Sequence, residues 1–224
     1  MKMYSPFSML FATIVVATVS LAGASAASAS TDVLTESQET AIRAKMTSGG
    51  IASGTQDALI EKIEAGIAPD SLSGKAPVET VRERTATGVR TIGIFADGSR
   101  SWTEIQTASA KPTGPAPRSS ISGCQNAGGW KVGCRVGIYD IISSATFVID
   151  YQTSSRGQAK VRDMRSLTCD NVAGSCTRSG SIKRATQSSA GPAWAELSYS
   201  ANAGWVTTKG AFGIRVSGTT VTTY

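Results

Sequence analysis

Between Lys131 and Tyr224 the chain breaks into eight short runs rich in β-branched and aromatic residues. They lie near 131–139, 145–152, 158–168, 177–187, 194–200, 204–208, 211–216 and 219–224, separated by Gly, Ser, Asn and Pro clusters. No stretch among them reads as an amphipathic helix of useful length, and strands this short and this evenly spaced suit an antiparallel β-sandwich or a small barrel. The alternation is cleanest over 145–152, where Phe147, Ile149 and Tyr151 share one face, and over 213–216, where Ile214 and Val216 join Phe212. Those six side chains are the expected core.

Upstream lies Lys111-Pro112-Thr113-Gly114-Pro115-Ala116-Pro117, in a stretch from 107 to 123 that is almost without apolar side chains apart from Ile121. Such a segment reads as an extended, partly stiff linker, dividing the chain into residues 30–106 and residues 124–224. The charge changes sign across it. Residues 30–106 carry eight Lys/Arg and eleven Asp/Glu, whereas residues 124–224 carry eleven and five.

The acidic part opens with two helical patterns. Thr35-Glu36-Ser37-Gln38 has the form of a capping box, followed by Ile42 and Met46 at helical spacing and a stop at Gly49-Gly50. A second helix starts near 53–55, carries Leu59, Ile60, Ile63 and Ile67, and is expected to end at Pro69. After Pro77 the period becomes two, and Asp97-Gly98 between β-rich flanks marks a hairpin. A two-residue turn would set Ile94 opposite Ser101, Ile92 opposite Thr103 and Trp102 opposite Gly93, where the indole would cover exposed backbone. The fold class is therefore mainly β: an antiparallel β-sandwich or small barrel at the C-terminus, preceded by a small αα-hairpin plus β-hairpin region.

Residues 1–29 have the order of a secretory signal peptide: Lys2, an apolar run from Met9 to Ala22, then small residues ending Ala27-Ser28-Ala29. The run is 14 residues, short of the ~20 that a membrane span needs, so stable membrane insertion is not expected. The expected location is secreted, extracellular or loosely associated with a cell wall. In an oxidising compartment the four cysteines read as two disulfides, and the favoured pairing is the local one, Cys124 with Cys134 and Cys169 with Cys176. Their spacing lacks the C-x2-C pairs of a zinc site, so neither a metal nor a cofactor is expected.

The chain has no histidine. Ser-His-Asp and Cys-His catalysis and an imidazole base are thereby excluded. Five scattered acids in the C-terminal part, Asp140, Asp150, Asp163, Asp170 and Glu196, define no carboxylate pair by spacing. Binding is the better fit, through two groups of residues. Strand parity puts Trp194 and Glu196 together on the polar face, with Trp205 on the polar parity of the next segment, an aromatic and carboxylate patch suited to a sugar ring or a protein partner. Arg156, Lys160, Arg162, Arg165, Arg178, Lys183 and Arg184 crowd two consecutive strands joined by the Cys169–Cys176 loop, a positive surface suited to an anionic polymer.

Ala96-Asp97-Gly98-Ser99 in a hairpin, the Pro-rich hinge, Ser122-Gly123-Cys124 opening the β region and Ser189-Ala190-Gly191-Pro192-Ala193 before a late strand resemble secreted proteins of Gram-positive actinobacteria that carry no assigned activity. The resemblance implies a secreted, two-part, β-rich protein and supplies no catalytic residues. The leading expectation is a secreted non-catalytic binding module for the cell envelope or an extracellular protein, its ligand an anionic cell-wall polymer or polysaccharide. Nucleic acid is disfavoured by compartment and by the lack of a recognition motif. The alternatives are a carbohydrate-active hydrolase using Glu196 with a second carboxylate, and a secreted toxin or inhibitor. A rival to any free basic surface is that the acidic first part masks the basic second one.

Overall fold

A computed structural model describes residues 33–108 and 123–224. Residues 1–29 and most of the Pro-rich segment lie outside the described residues. The chain runs α1 (Glu36–Ser48), α2 (Ser53–Glu64), a 3-10 turn (Asp70–Leu72), then strands β1 (Glu79–Arg84), β2 (Gly88–Ile94), β3 (Arg100–Gln106), β4 (Gln125–Ala127), β5 (Trp130–Tyr139), β6 (Ser143–Gln152), β7 (Lys160–Asn171), β8 (Ser175–Arg184), β9 (Ala193–Asn202), β10 (Thr207–Ser217) and β11 (Thr220–Thr223).

Local chemistry begins α1 and ends both helices, whereas α2 starts after Ala52 without a side-chain cap. Thr35 caps α1 reciprocally: its hydroxyl accepts from the Gln38 amide, and its own amide donates to Gln38 Oε1 at 2.8 Å. At the C-terminus Gly50, at φ +72°, donates to Thr47 O while Ile51 donates back to Met46 O, which satisfies the last carbonyls of the helix. The same pair of bonds closes α2, with Gly66 at φ +71° donating to Ile63 O and Ile67 to Lys62 O. The stop therefore comes before Pro69. Ile67 lies beyond it, 54% exposed, and is not part of the α2 stripe of Leu59, Ile60 and Ile63.

The β2–β3 hairpin has a different register from the one the Asp97-Gly98 signal suggests. Phe95 N–H donates to Ser99 O and Gly98 N–H to Phe95 O, so three residues form the loop, with Gly98 at φ +79°. This is a three-residue turn closed by a left-handed glycine. The pairs become Ile94 with Arg100, Gly93 with Ser101 and Ile92 with Trp102. Trp102 accordingly does not cover Gly93. It is buried, stacked on Tyr139 with ring centroids 5.5 Å apart, and lies so close to Gly49 that a β-carbon there would come within 2.7 Å of the indole.

Two open antiparallel sheets face each other, and the described residues form no closed barrel. The larger has the order β1-β2-β3-β5-β6-β7, with β4 also paired to β5; the smaller has the order β11-β10-β9-β8. Because β3 pairs with β5, from Trp102 opposite Tyr139 to Ile105 opposite Val136, one sheet contains strands from both sides of the Pro-rich segment. The space between the sheets is filled by the expected core: Phe147, Ile149, Phe212, Ile214 and Val216 are fully buried, Tyr151 nearly so, and the Phe147 and Phe212 rings stand 5.6 Å apart. Of segments 204–208 and 211–216, which the sequence divides into two strands, residues 207–208 and 211–216 belong to one, β10, and 204–206 form the turn before it. Gly210 between them pairs with Tyr199, whose ring lies over the missing side chain, so the glycine is covered in-strand instead of turning the chain.

The helices close one end of the sandwich. Ile42, Met46, Leu59 and Ile63 pack with Ile141 and Ile142 from the β5–β6 turn and Ala203 from the β9–β10 turn, with Val172 and Trp205 at the margin. This contact is apolar. Among the described residues its ion pair, Lys45 to Asp170 at 3.5 Å, takes the cation from the acidic part and the anion from the basic part. Both cysteine pairs form as expected, Cys124 with Cys134 and Cys169 with Cys176. No described helix is long and apolar enough to cross a membrane.

Candidate functional site

On β9 the buried residues Ala193, Ala195 and Leu197 face the core, which turns Trp194 and Glu196 outward as parity requires. Register sets their neighbours. Trp194 stands between Arg184 on β8 and Arg215 on β10, and Glu196 stands opposite Gly213. Tyr224, just past β11, lays its ring over Gly213 and donates its hydroxyl to Glu196 Oε2 at 3.2 Å. Lys183 Nζ lies 3.7 Å from Glu196 Oε1. The Arg215 guanidinium sits 4.1 Å from the Tyr224 ring centroid and 5.9 Å from that of Trp194. The result is two half-buried aromatic rings, one carboxylate and three cations on the outer face of a four-stranded sheet.

Electrostatically the cluster is net positive, with one oriented acceptor. Burial, and then the negative charge of Glu196, push the Tyr224 phenol up to about 12, so it remains a donor at neutral pH. Glu196 meets a lysine and a tyrosine, not a second acid, and the four strands of its sheet contain no other Asp or Glu. This arrangement can hold a ring between cations and present one acceptor to it. It does not provide the paired carboxylates of glycoside hydrolysis.

The other sequence candidates disperse. Trp205 lies in the β9–β10 turn, near Asn202 and Thr207, whereas Trp194 lies at the far end of the same hairpin opposite Arg215. The Trp205 ring packs against the helix cluster and its Nε1 is buried without an acceptor. The basic strands separate because β7 belongs to the larger sheet and β8 to the smaller. Arg165 donates to Asp150 Oδ1 at 3.1 Å and to Asp163; Arg162 lies 3.6 Å from Asp150 and 3.9 Å above the Trp130 ring. These two arginines balance a buried carboxylate. Arg178 donates to the Leu167 carbonyl at 2.6 Å and so ties β8 to β7. Arg156 and Lys160 are exposed before and at the start of β7, and Lys160 bridges Thr186, two residues past Arg184. Arg184 donates to Pro192 O at 3.2 Å and, with Lys183, remains beside Trp194 and Glu196.

Sequence reasoning missed Arg215 and Tyr224. Arg215 was readable: it has the parity opposite to Ile214 and Val216. Tyr224 has no such signal, since its place depends on how β11 pairs.

The chain matches no protein-family model, no curated protein and no solved structure.

Proposed function

We propose that this is a secreted, non-catalytic binding module for an anionic polysaccharide of the cell envelope, engaged through the outer face of β8–β11. The observation that carries the reading is Trp194 held between Arg184 and Arg215, with Tyr224 and Glu196 in the next row. Aromatic rings of fixed orientation offer stacking faces to sugar rings, the flanking cations attract acidic substituents, and Glu196 accepts from a hydroxyl. Strands hold these groups with little conformational freedom left to lose on binding, which favours recognition by a sheet face over a loop.

Co-sedimentation with purified cell walls tests the reading. Binding is expected at low ionic strength and is expected to weaken as salt rises, because the cations are exposed enough to be screened over about 10 Å at 0.1 M salt. Trp194→Ala and Arg215→Ala are each expected to weaken it at unchanged thermal stability. Failure of the parent protein to sediment at any salt concentration counts against the proposal, as does retained binding by the Trp194→Ala, Arg215→Ala double variant.

A further inference from the structure

At the end closed by the helices, a cleft of about 540 Å³ lies between the 3-10 turn, the end of β5 and the start of β10. That volume falls within the roughly 300–1,000 Å³ of small-ligand sites. Half of the residues around it carry hydroxyls, among them Ser71, Ser101, Tyr139, Tyr199 and Thr208. Tyr139 is fixed by its stack on Trp102, and Tyr199 by its edge contact with Phe212. Asp140 lines the cleft too, but its carboxylate is occupied, accepting from the Ile142 and Ser143 amides and the Ser143 hydroxyl at 2.6 to 2.8 Å. The one cation among the lining residues, Lys209, has the outward parity of β10. The lining thus carries no net charge and is hydroxyl-rich and aromatic-walled.

A second observation concerns unmet hydrogen bonds. Four buried side-chain polar atoms among the described residues have no partner, and two of them, Ser71 Oγ and Thr208 Oγ1, belong to residues that line this cleft. The backbones that carry the two hydroxyls are anchored, since Ser71 N–H donates to Ser99 Oγ at 2.9 Å and Thr208 pairs with Ala201. Folding has left these two polar groups unsatisfied at a destabilising cost.

We infer that this cleft is a binding site for a short neutral saccharide of one or two rings, whose hydroxyls complete the hydrogen bonding of Ser71 and Thr208 against the Tyr139 wall. The site lies at the opposite end of the β9–β10 hairpin from Trp194 and does not depend on the polymer-binding reading. Anionic polymers are poorly matched to it, because Asp140 and Lys209 together leave its lining without net positive charge.

The test is an amide NMR titration of the full chain with two probes, a β-1,4-linked glucose disaccharide and its N-acetylglucosamine counterpart, which separate recognition of hydroxyls alone from recognition that needs an acetamido group. Saturable shifts are expected at Ser71–Gly74, Tyr139 and Thr207–Lys209 with one or both sugars. Thr208→Val, which keeps the shape and removes the unpartnered hydroxyl, is expected to weaken binding about fivefold or more. The same variant is expected to melt at an equal or higher temperature than the parent, a combination that a purely structural role for Thr208 does not produce. Trp194→Ala is expected to leave the titration unchanged, so loss of cell-wall binding and loss of sugar binding are separate outcomes. Absence of shifts with both sugars at millimolar concentration overturns the inference, and so do equal affinities in the parent and Thr208→Val.

Discussion

Tyr224 closes over Gly213: the phenol ring occupies the space above the glycine while its hydroxyl reaches Glu196 on the neighbouring strand. A β-carbon at position 213 would come within 2.7 Å of the Tyr224 hydroxyl and 2.1 Å of the Ala195 carbonyl oxygen. The second contact is with backbone and cannot be relieved by a rotamer change. Gly213→Ala is expected to destabilise the protein by about 2 kcal/mol or more and to disturb the Trp194 face with it. Urea denaturation measures the first effect. Tyr224→Phe, which keeps the cover and loses only the bond to Glu196, is expected to cost less than about 1 kcal/mol in the same measurement.

What the sequence showed of this arrangement follows from which interactions are local. Phe147, Ile149 and Tyr151, like Phe212, Ile214 and Val216, were legible because alternation along one strand fixes its faces without reference to a partner. The same argument turned Trp194 and Glu196 outward, and the Thr35–Gln38 cap and the two disulfides were equally local. Features that depend on pairing were not legible. Asp97-Gly98 serves two-residue and three-residue loops alike, and one residue of difference moved Trp102 from Gly93 to Ile92. Gly210 looked like a break because the ring that covers it, on Tyr199, belongs to another strand. Trp205 had polar parity on paper, but the turn that carries it is covered by helices from the other side of the Pro-rich segment.

Asp150 gives a prediction of a different kind. It is 4% exposed and accepts from the Gly133 amide at 2.9 Å and from Arg165 at 3.1 Å, with Arg162 at 3.6 Å. Removing the carboxylate leaves the Gly133 N–H and part of the Arg165 guanidinium without a partner. Asp150→Ala is expected to destabilise by about 3 kcal/mol, read from chemical denaturation. Arg156→Ala, at an exposed loop position with no such partner, is expected to change stability by no more than about 0.5 kcal/mol.

The two disulfides close short loops, with sequence separations of 10 and 7. In the chain-entropy account each restricts the unfolded chain by about 2.5 to 3 kcal/mol. Cys169→Ser with Cys176→Ser is expected to lose about that much stability and to loosen the link between β7 and β8, the edges at which the two sheets meet. Hydrogen exchange is expected to rise first at residues 167–178.

The hairpin tip that carries Asp97 is latched to the helical end, and the latch has a pH signature. Asp97 Oδ2 accepts from Lys62 Nζ at 2.8 Å and from the Asp70 amide at 2.7 Å, while Oδ1 accepts from the Ser99 amide and hydroxyl. Burial by itself would raise this carboxyl; the bonds from Lys62, Ser99 and the Asp70 backbone outweigh it and hold the group at about 2, against an ordinary value of 3.8. Asp70 is lowered in the same direction by Lys75 and Lys62. Because the folded group holds its proton less tightly than the unfolded one, the stabilisation is present in full above about pH 5. It is lost as pH falls through 3.8 toward 2, and Asp97 accounts for about 2 kcal/mol of that loss. Denaturation midpoints measured from pH 6 to pH 2 are expected to fall over this window. Asp97→Asn is expected to lower stability at pH 6 and to flatten the fall, and a variant with an unchanged slope would mean that the acid sensitivity resides in other carboxylates.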